Sequence, residues 1–133
     1  MTSTKNTVDK FLNFLSNKDL EKLSQLFAEN VDWNVPGNEN LGLWLGQRNS
    51  RKEVKEFYEL LWQNVAPISA NIDTIFIKDE QAILSGEFSV KMLTTGKLVD
   101  SIFYIQLTIT DGLIVKYRLL EDSYAVSEGL SSN

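Results

Sequence analysis

The second half of the chain alternates between strand-like stretches and tight turns, and that run decides which folds are open to it. Residues 72–77, 82–93, 98–110 and 113–120 are four strand candidates. Their separators, Lys78-Asp79-Glu80, Thr94-Thr95-Gly96 and Asp111-Gly112, have hairpin-turn chemistry. Within the second candidate, Leu84, Gly86, Phe88, Val90 and Met92 fall on one face, with Ser85, Glu87, Ser89 and Lys91 on the other. Consecutive hairpins make an antiparallel sheet.

The first half reads as helix. Val8, Phe11, Leu12 and Leu15 recur at helical spacing, Ser16-Asn17-Lys18-Asp19 breaks the pattern, and Leu20, Leu23 and Phe27 carry a second apolar face. Val31-Asp32-Trp33-Asn34-Val35 alternates as a half-buried strand does and is stopped by Pro36-Gly37. Residues 37–49 form a connector that is too apolar for a solvated loop, with Leu41, Leu43, Trp44 and Leu45 set among glycines. Ser50-Arg51-Lys52-Glu53 has the capping-box pattern, and Val54, Phe57, Tyr58 and Leu61 give a third amphipathic helix. Helices segregated before strands make the class α+β. At this length, residues 1–133 are expected to form one domain, with 128–133 a frayed tail.

Histidine and cysteine are both absent from the 133 residues. That excludes Ser-His-Asp and Cys-His machinery, ordinary structural zinc sites and disulfides. Any catalysis must use carboxylates, phenols, amines, guanidiniums or main-chain dipoles. The net charge of −5 argues against a nucleic-acid partner. No apolar run reaches membrane-spanning length, and no signal-peptide core follows Met1. A cytoplasmic protein is expected. Asp73, Asp79 and Asp100 show no metal-ligand spacing, and neither a metal nor another cofactor is implied. Arg48, Arg51, Lys52 and Lys55 gather at the start of the third helix, but Lys52–Glu56 and Lys55–Glu59 make that face a solvated, self-neutralised one.

The element order and several local stretches resemble the SnoaL-like branch of the NTF2-like fold, related to ketosteroid isomerases. The stretches are Asn17-Lys18-Asp19-Leu20, Leu26-Phe27-Ala28-Glu29-Asn30 leading into Val31–Gly37, Gly46, Val54-Lys55-Glu56-Phe57-Tyr58, and Asp111-Gly112-Leu113-Ile114-Val115 with Tyr117-Arg118. The resemblance implies a cone with three helices against a curved antiparallel sheet, enclosing a pocket. It also implies where ketosteroid-isomerase groups would fall. The first-helix tyrosine falls on Phe11, the base on Val35 and the oxyanion aspartic acid on Tyr104, while a supporting tyrosine is kept as Tyr58. The Asp-Arg-Asp set of limonene-epoxide-hydrolase-like relatives falls on Phe88, Gly86 and Leu119. Neither active site carries over.

Candidate chemistry therefore rests on a few residues. Apolar alternation points Val31, Trp33 and Val35 inward; a one-residue slip would instead line the pocket with Asp32 and Asn34, a carboxylate–amide pair fit for proton abstraction. On the last strand Tyr117, Leu119 and Glu121 share a face. Inward, Glu121 becomes a base with a raised pKa; outward, it is a solvated strand end or a partner of Arg118 or Lys116. Tyr58 and Tyr104 are either paired donors to a ligand carbonyl or ordinary packed phenols. Phe11, Leu15, Trp33, Val35, Phe57, Phe88, Tyr117 and Leu119 are the expected pocket lining, with Trp44 the lid candidate. The expected ligand is a small hydrophobic carbonyl compound undergoing isomerisation or cyclisation by proton transfer. The alternatives are a binding protein without catalysis and a homodimeric assembly module. A homodimer is expected through the outer sheet face, with Phe103, Ile105 and Leu107 as its apolar patch.

Overall fold

The computed structural model describes residues 3–132. Helix α1 (Thr4–Ser16) starts where the Ser3 side chain accepts from the Asn6 N–H, and it buries Val8 and Phe11. Helix α2 (Leu20–Gln25) is capped by Asp19. It is only six residues long, so Phe27 is not on its apolar face but opens strand β1 (Phe27–Val35). The expected connector contains a strand that the residue pattern does not suggest, β2 (Gly46–Ser50), paired antiparallel to β1. Helix α3 (Arg51–Asn64) follows directly. The Ser50 hydroxyl accepts from the Glu53 N–H at 3.2 Å, while the Glu53 carboxylate accepts from the Asn49 N–H at 3.1 Å. The expected cap is therefore present, and α3 buries Val54, Phe57 and Tyr58.

Four strands complete the sheet: β3 (Val65–Lys78), β4 (Gln81–Met92), β5 (Leu98–Thr110) and β6 (Leu113–Glu121). The order is β2-β1-β6-β5-β4-β3, antiparallel throughout except that β1 runs parallel to β6. β3 begins seven residues earlier than the 72–77 stretch suggests and includes Pro67, which an edge strand tolerates. At the Asp111-Gly112 turn both residues have positive φ, 51° and 81°, the geometry that a two-residue hairpin requires. At Gly86 a side chain would drive into the Asn71 carbonyl oxygen of β3 and lie 2.9 Å from the Phe103 ring, so only glycine lets these strands close. The result is an α+β fold, a curved, unclosed six-stranded sheet with helices on its concave side.

Two further expectations fail. Residues 128–130 are not a frayed tail: they end helix α4 (Ser123–Leu130), which buries Val126, Gly129 and Leu130. Phe103, Ile105 and Leu107 are not an outer patch but part of the core. β5 alternates with its odd-numbered residues inward from Val99 to Ile109, which puts Ile102 and Tyr104 on the outer face.

Candidate functional site

Strand β6 presents Tyr117, Leu119 and Glu121 opposite Leu107, Ile105 and Phe103, all on the inner face of β5. Glu121 therefore points inward. Above it, Ser123, Val126, Ser127 and Leu130 of α4 meet Pro36, Gly37, Asn38 and Leu45 of the connector across a narrow crevice. The crevice is too narrow to hold a free water molecule. Burial lifts the Glu121 carboxyl from 4.5 to about 7, because the charged form loses its hydration against apolar walls. Among the described residues no donor or cation pairs with that carboxylate.

Behind Glu121 lies an aromatic cluster. Trp33 stacks on Tyr117 at 3.8 Å with an 8° interplanar angle, and packs edge-on against Phe57 at 4.8 Å and Tyr58 at 6.0 Å. Phe11 and Phe27 close the far side of Tyr117. Three polar groups are sealed into this cluster. The Trp33 Nε1 and Tyr58 Oη atoms are buried without a hydrogen-bond partner. The Tyr58 and Tyr117 hydroxyls lie close enough to influence each other's ionisation, yet their geometry falls short of a well-formed hydrogen bond. Burial raises both phenols above the ordinary tyrosine value; the Tyr117 charge raises Tyr58 further, and the charge of Glu121 adds to the rise at Tyr117. Both therefore stay protonated and able to donate.

Phe11, Trp33, Val35, Trp44, Phe57, Tyr58 and Tyr117 are all buried, with Leu15, Phe88 and Leu119 partly so. They are brought together as a packed core in which they fill each other's space. Val31, Trp33 and Val35 face inward, so the unslipped register of β1 is the one formed. Asp32 consequently lies outside, its carboxylate 2.8 Å from the Arg118 guanidinium on the outer face. Its placement there removes it as a pocket base. Tyr104 is removed as a pocket donor for the same parity reason, being 52% exposed on the outer face. Trp44 is anchored inside the core, and the Arg48 guanidinium sits between its carbonyl and that of Glu53. The cover over Glu121 is α4, which lies in the stretch expected to be strand end and tail. A faint signal for it exists: Asp122 as a cap, then Val126 and Leu130 four residues apart. Lys55 pairs with Glu21 of α2 at 3.2 Å and not with Glu59.

Two wider grooves open to solvent, one beside Asn30, Arg48 and Glu53, the other beside Asn71, Glu87 and Asp100. Neither holds a carboxyl whose pKa is raised by burial as that of the half-buried Glu121 is. Among the described residues no three potential ligands gather for a metal, and no helix is long and apolar enough to cross a membrane.

The family model for the SnoaL-like domain matches residues 8–117. The chain belongs to the SnoaL-like domain family. Glu121 and α4 lie beyond the matched span. No curated protein matches its sequence. Its fold is shared with solved structures of low identity. An NTF2-like protein of unknown function from Burkholderia pseudomallei has a TM-score of 0.87 at 18% identity, over 98% of this chain and 99% of that one. TerC, crystallised with polyporic acid, has 0.84 at 16%, over 97% and 98%. An LEH-like epoxide hydrolase of M. tuberculosis has 0.73 at 16%, over 96% and 88%.

Proposed function

We propose that this SnoaL-like domain moves a proton on a small, largely apolar carbonyl compound, as an isomerase or cyclase does. Glu121 takes the proton from the carbon beside the carbonyl, the electron pair passes onto the carbonyl oxygen, and the protonated Glu121 returns its proton at another carbon of the same molecule. The Tyr58 and Tyr117 phenols, protonated and enclosed in the aromatic cluster, donate to the developing oxyanion once the ligand opens that cluster. One observation carries the reading: an inward carboxylate with no partner, whose burial holds its pKa at about 7, where a general base works best. TerC crystallised with polyporic acid and the LEH-like epoxide hydrolase agree with a fold that hosts small organic ligands, and at 16% identity they speak for the fold.

The test uses carbonyl probes. A panel of cyclic enones and 1,3-diketones is incubated in D2O, and deuterium entry at the acidic carbon is followed by NMR. The protein should accelerate exchange with an apparent pKa near 7, and Glu121→Gln should lower the rate by about 10²–10⁴-fold. Equal rates in the native protein and the Glu121→Gln variant overturn the proposal.

A second reading, binding without turnover, draws on the filled core. The crevice beside Glu121 has no room even for a water molecule, far short of the roughly 300–1,000 Å³ usual for ligand sites. Under that reading the panel binds but does not exchange. In either case the protein is read as a homodimer through its outer face, with the residues corrected to Phe76, Ile83, Ile102, Tyr104 and Leu120, all exposed there. Sedimentation should show a dimer in the native protein and a monomer in Tyr104→Glu.

A further inference from the structure

We infer that helix α4 holds the ligand's place: Val126 and Leu130 plug the mouth of the cone, and a small apolar molecule reaches Glu121 only when this helix lifts. The inference rests on Glu121 being the reactive group. Three features point to a removable plug rather than to a fixed wall. First, α4 contributes four of the nine residues lining the crevice and shuts it too tightly for water. A fold with an inward base and no room beside it must open somewhere.

Second, α4 is eight residues long, and a helix that short is not stable in water without its docking contacts. The β6 wall of the crevice is tied in more firmly, by pairing to strands on both sides. Helix α4 has no main-chain bond to the sheet among the described residues. Its ties are side-chain bonds at its two ends. The Ser101 hydroxyl accepts from the Asp122 N–H at 2.9 Å, the Thr95 hydroxyl donates to the Gly129 carbonyl at 2.6 Å, and the Lys97 ammonium donates to the Ser131 carbonyl at 2.7 Å. Losing these ties with the Val126 and Leu130 contacts frees the helix without disturbing any strand.

Third, the docking is fine-tuned by a glycine. A side chain at Gly129 would collide with the Val99 Cγ2 methyl and lie 3.4 Å from Met92 Cγ. Leu130 reaches the connector at Gly42, so the helix bridges both lips of the mouth.

The same contact supplies the test. A Cβ placed on Gly129 lies 3.7 Å from Val99 Cβ, inside the window of about 3.5–4.5 Å that a disulfide needs. The chain has no cysteine of its own, so a Val99→Cys, Gly129→Cys pair can form only the intended bridge within a chain. Binding of 2-naphthol, a flat apolar molecule with one hydroxyl, is followed by its fluorescence. The reduced double variant should bind it, the oxidised one at least about tenfold more weakly, with reductant restoring affinity. Equal binding in both redox states, or no binding in the reduced state, overturns the inference. Hydrogen exchange gives a probe-free reading: in the native protein, α4 amides should exchange at least about 100-fold faster than β5 amides. Matching protection in α4 and β5 overturns it as well. Redox-dependent naphthol binding without any carbonyl proton exchange refutes catalysis alone. Proton exchange undiminished in the oxidised variant refutes the plug alone.

Discussion

Replacing Glu121 by Gln tests the buried carboxyl without any substrate, through stability. In the folded chain the carboxyl ionises near 7; in the unfolded chain it ionises near 4.5. Each unit of that difference is worth about 1.36 kcal/mol, so ionising Glu121 in the folded state costs roughly 3 kcal/mol more than in the unfolded state. Between these values the folded chain holds the proton that the unfolded chain has already released. Stability therefore falls as pH rises from about 4.5 and levels off above about 7. Gln is close in shape and never ionises, so it escapes this loss. At pH 5 most of the loss has yet to occur. By pH 8 it is complete, so Glu121→Gln should gain about 2–3 kcal/mol on the native protein across that interval. For a chain of this length that is roughly 10 °C in Tm. Urea titrations of both proteins at half-unit steps from pH 5 to 8 measure it. Curves that stay parallel across the interval would mean that Glu121 is hydrated in the folded state, and the argument for a neutral-pH base would go with it.

Three further substitutions separate fold from site. Gly86→Ala forces a methyl group into the Asn71 carbonyl and should destabilise by at least about 2 kcal/mol in urea titration, since backbone rather than a side chain must give way. Asp32→Asn breaks an exposed pair with Arg118 and should change stability by less than about 1 kcal/mol while leaving carbonyl proton exchange intact; lost exchange would return Asp32 to the mechanism. Tyr58→Phe deletes a buried hydroxyl that has no well-formed partner, so stability should hold or rise by up to about 1 kcal/mol while proton exchange drops. A marked loss of stability there would show that the hydroxyl supports the fold instead of waiting for a ligand.

What the sequence discloses depends on how local the deciding forces are. The Asp111-Gly112 turn, the Ser50 cap and the inward set Val31, Trp33 and Val35 follow from short-range conformational and apolar preferences, and all three are present. Strand β5 is harder, because residues 102–105 are apolar on both faces and period-two counting does not choose between them. The choice is made further along, where Asp100, Gln106 and Thr108 share the face of Tyr104 and must meet water. Tyr104 belongs outside on that ground alone. Strand β2 escapes sequence reasoning because its residues, Gly46-Gln47-Arg48-Asn49-Ser50, have no strand propensity; pairing with β1 supplies what they lack. Helix α4 shows the limit most clearly. Val126 and Leu130 in a serine-rich stretch cannot hold a helix alone, and its partners Val99 and Met92 lie thirty or more residues earlier in the chain. The orientation of Glu121 is open to strand parity, but its protonation is not. That property belongs to a carboxyl covered by the helix that follows it, so the chemistry of the site and the docking of α4 are one problem. Any change that lifts the helix should bring the Glu121 pKa down with it.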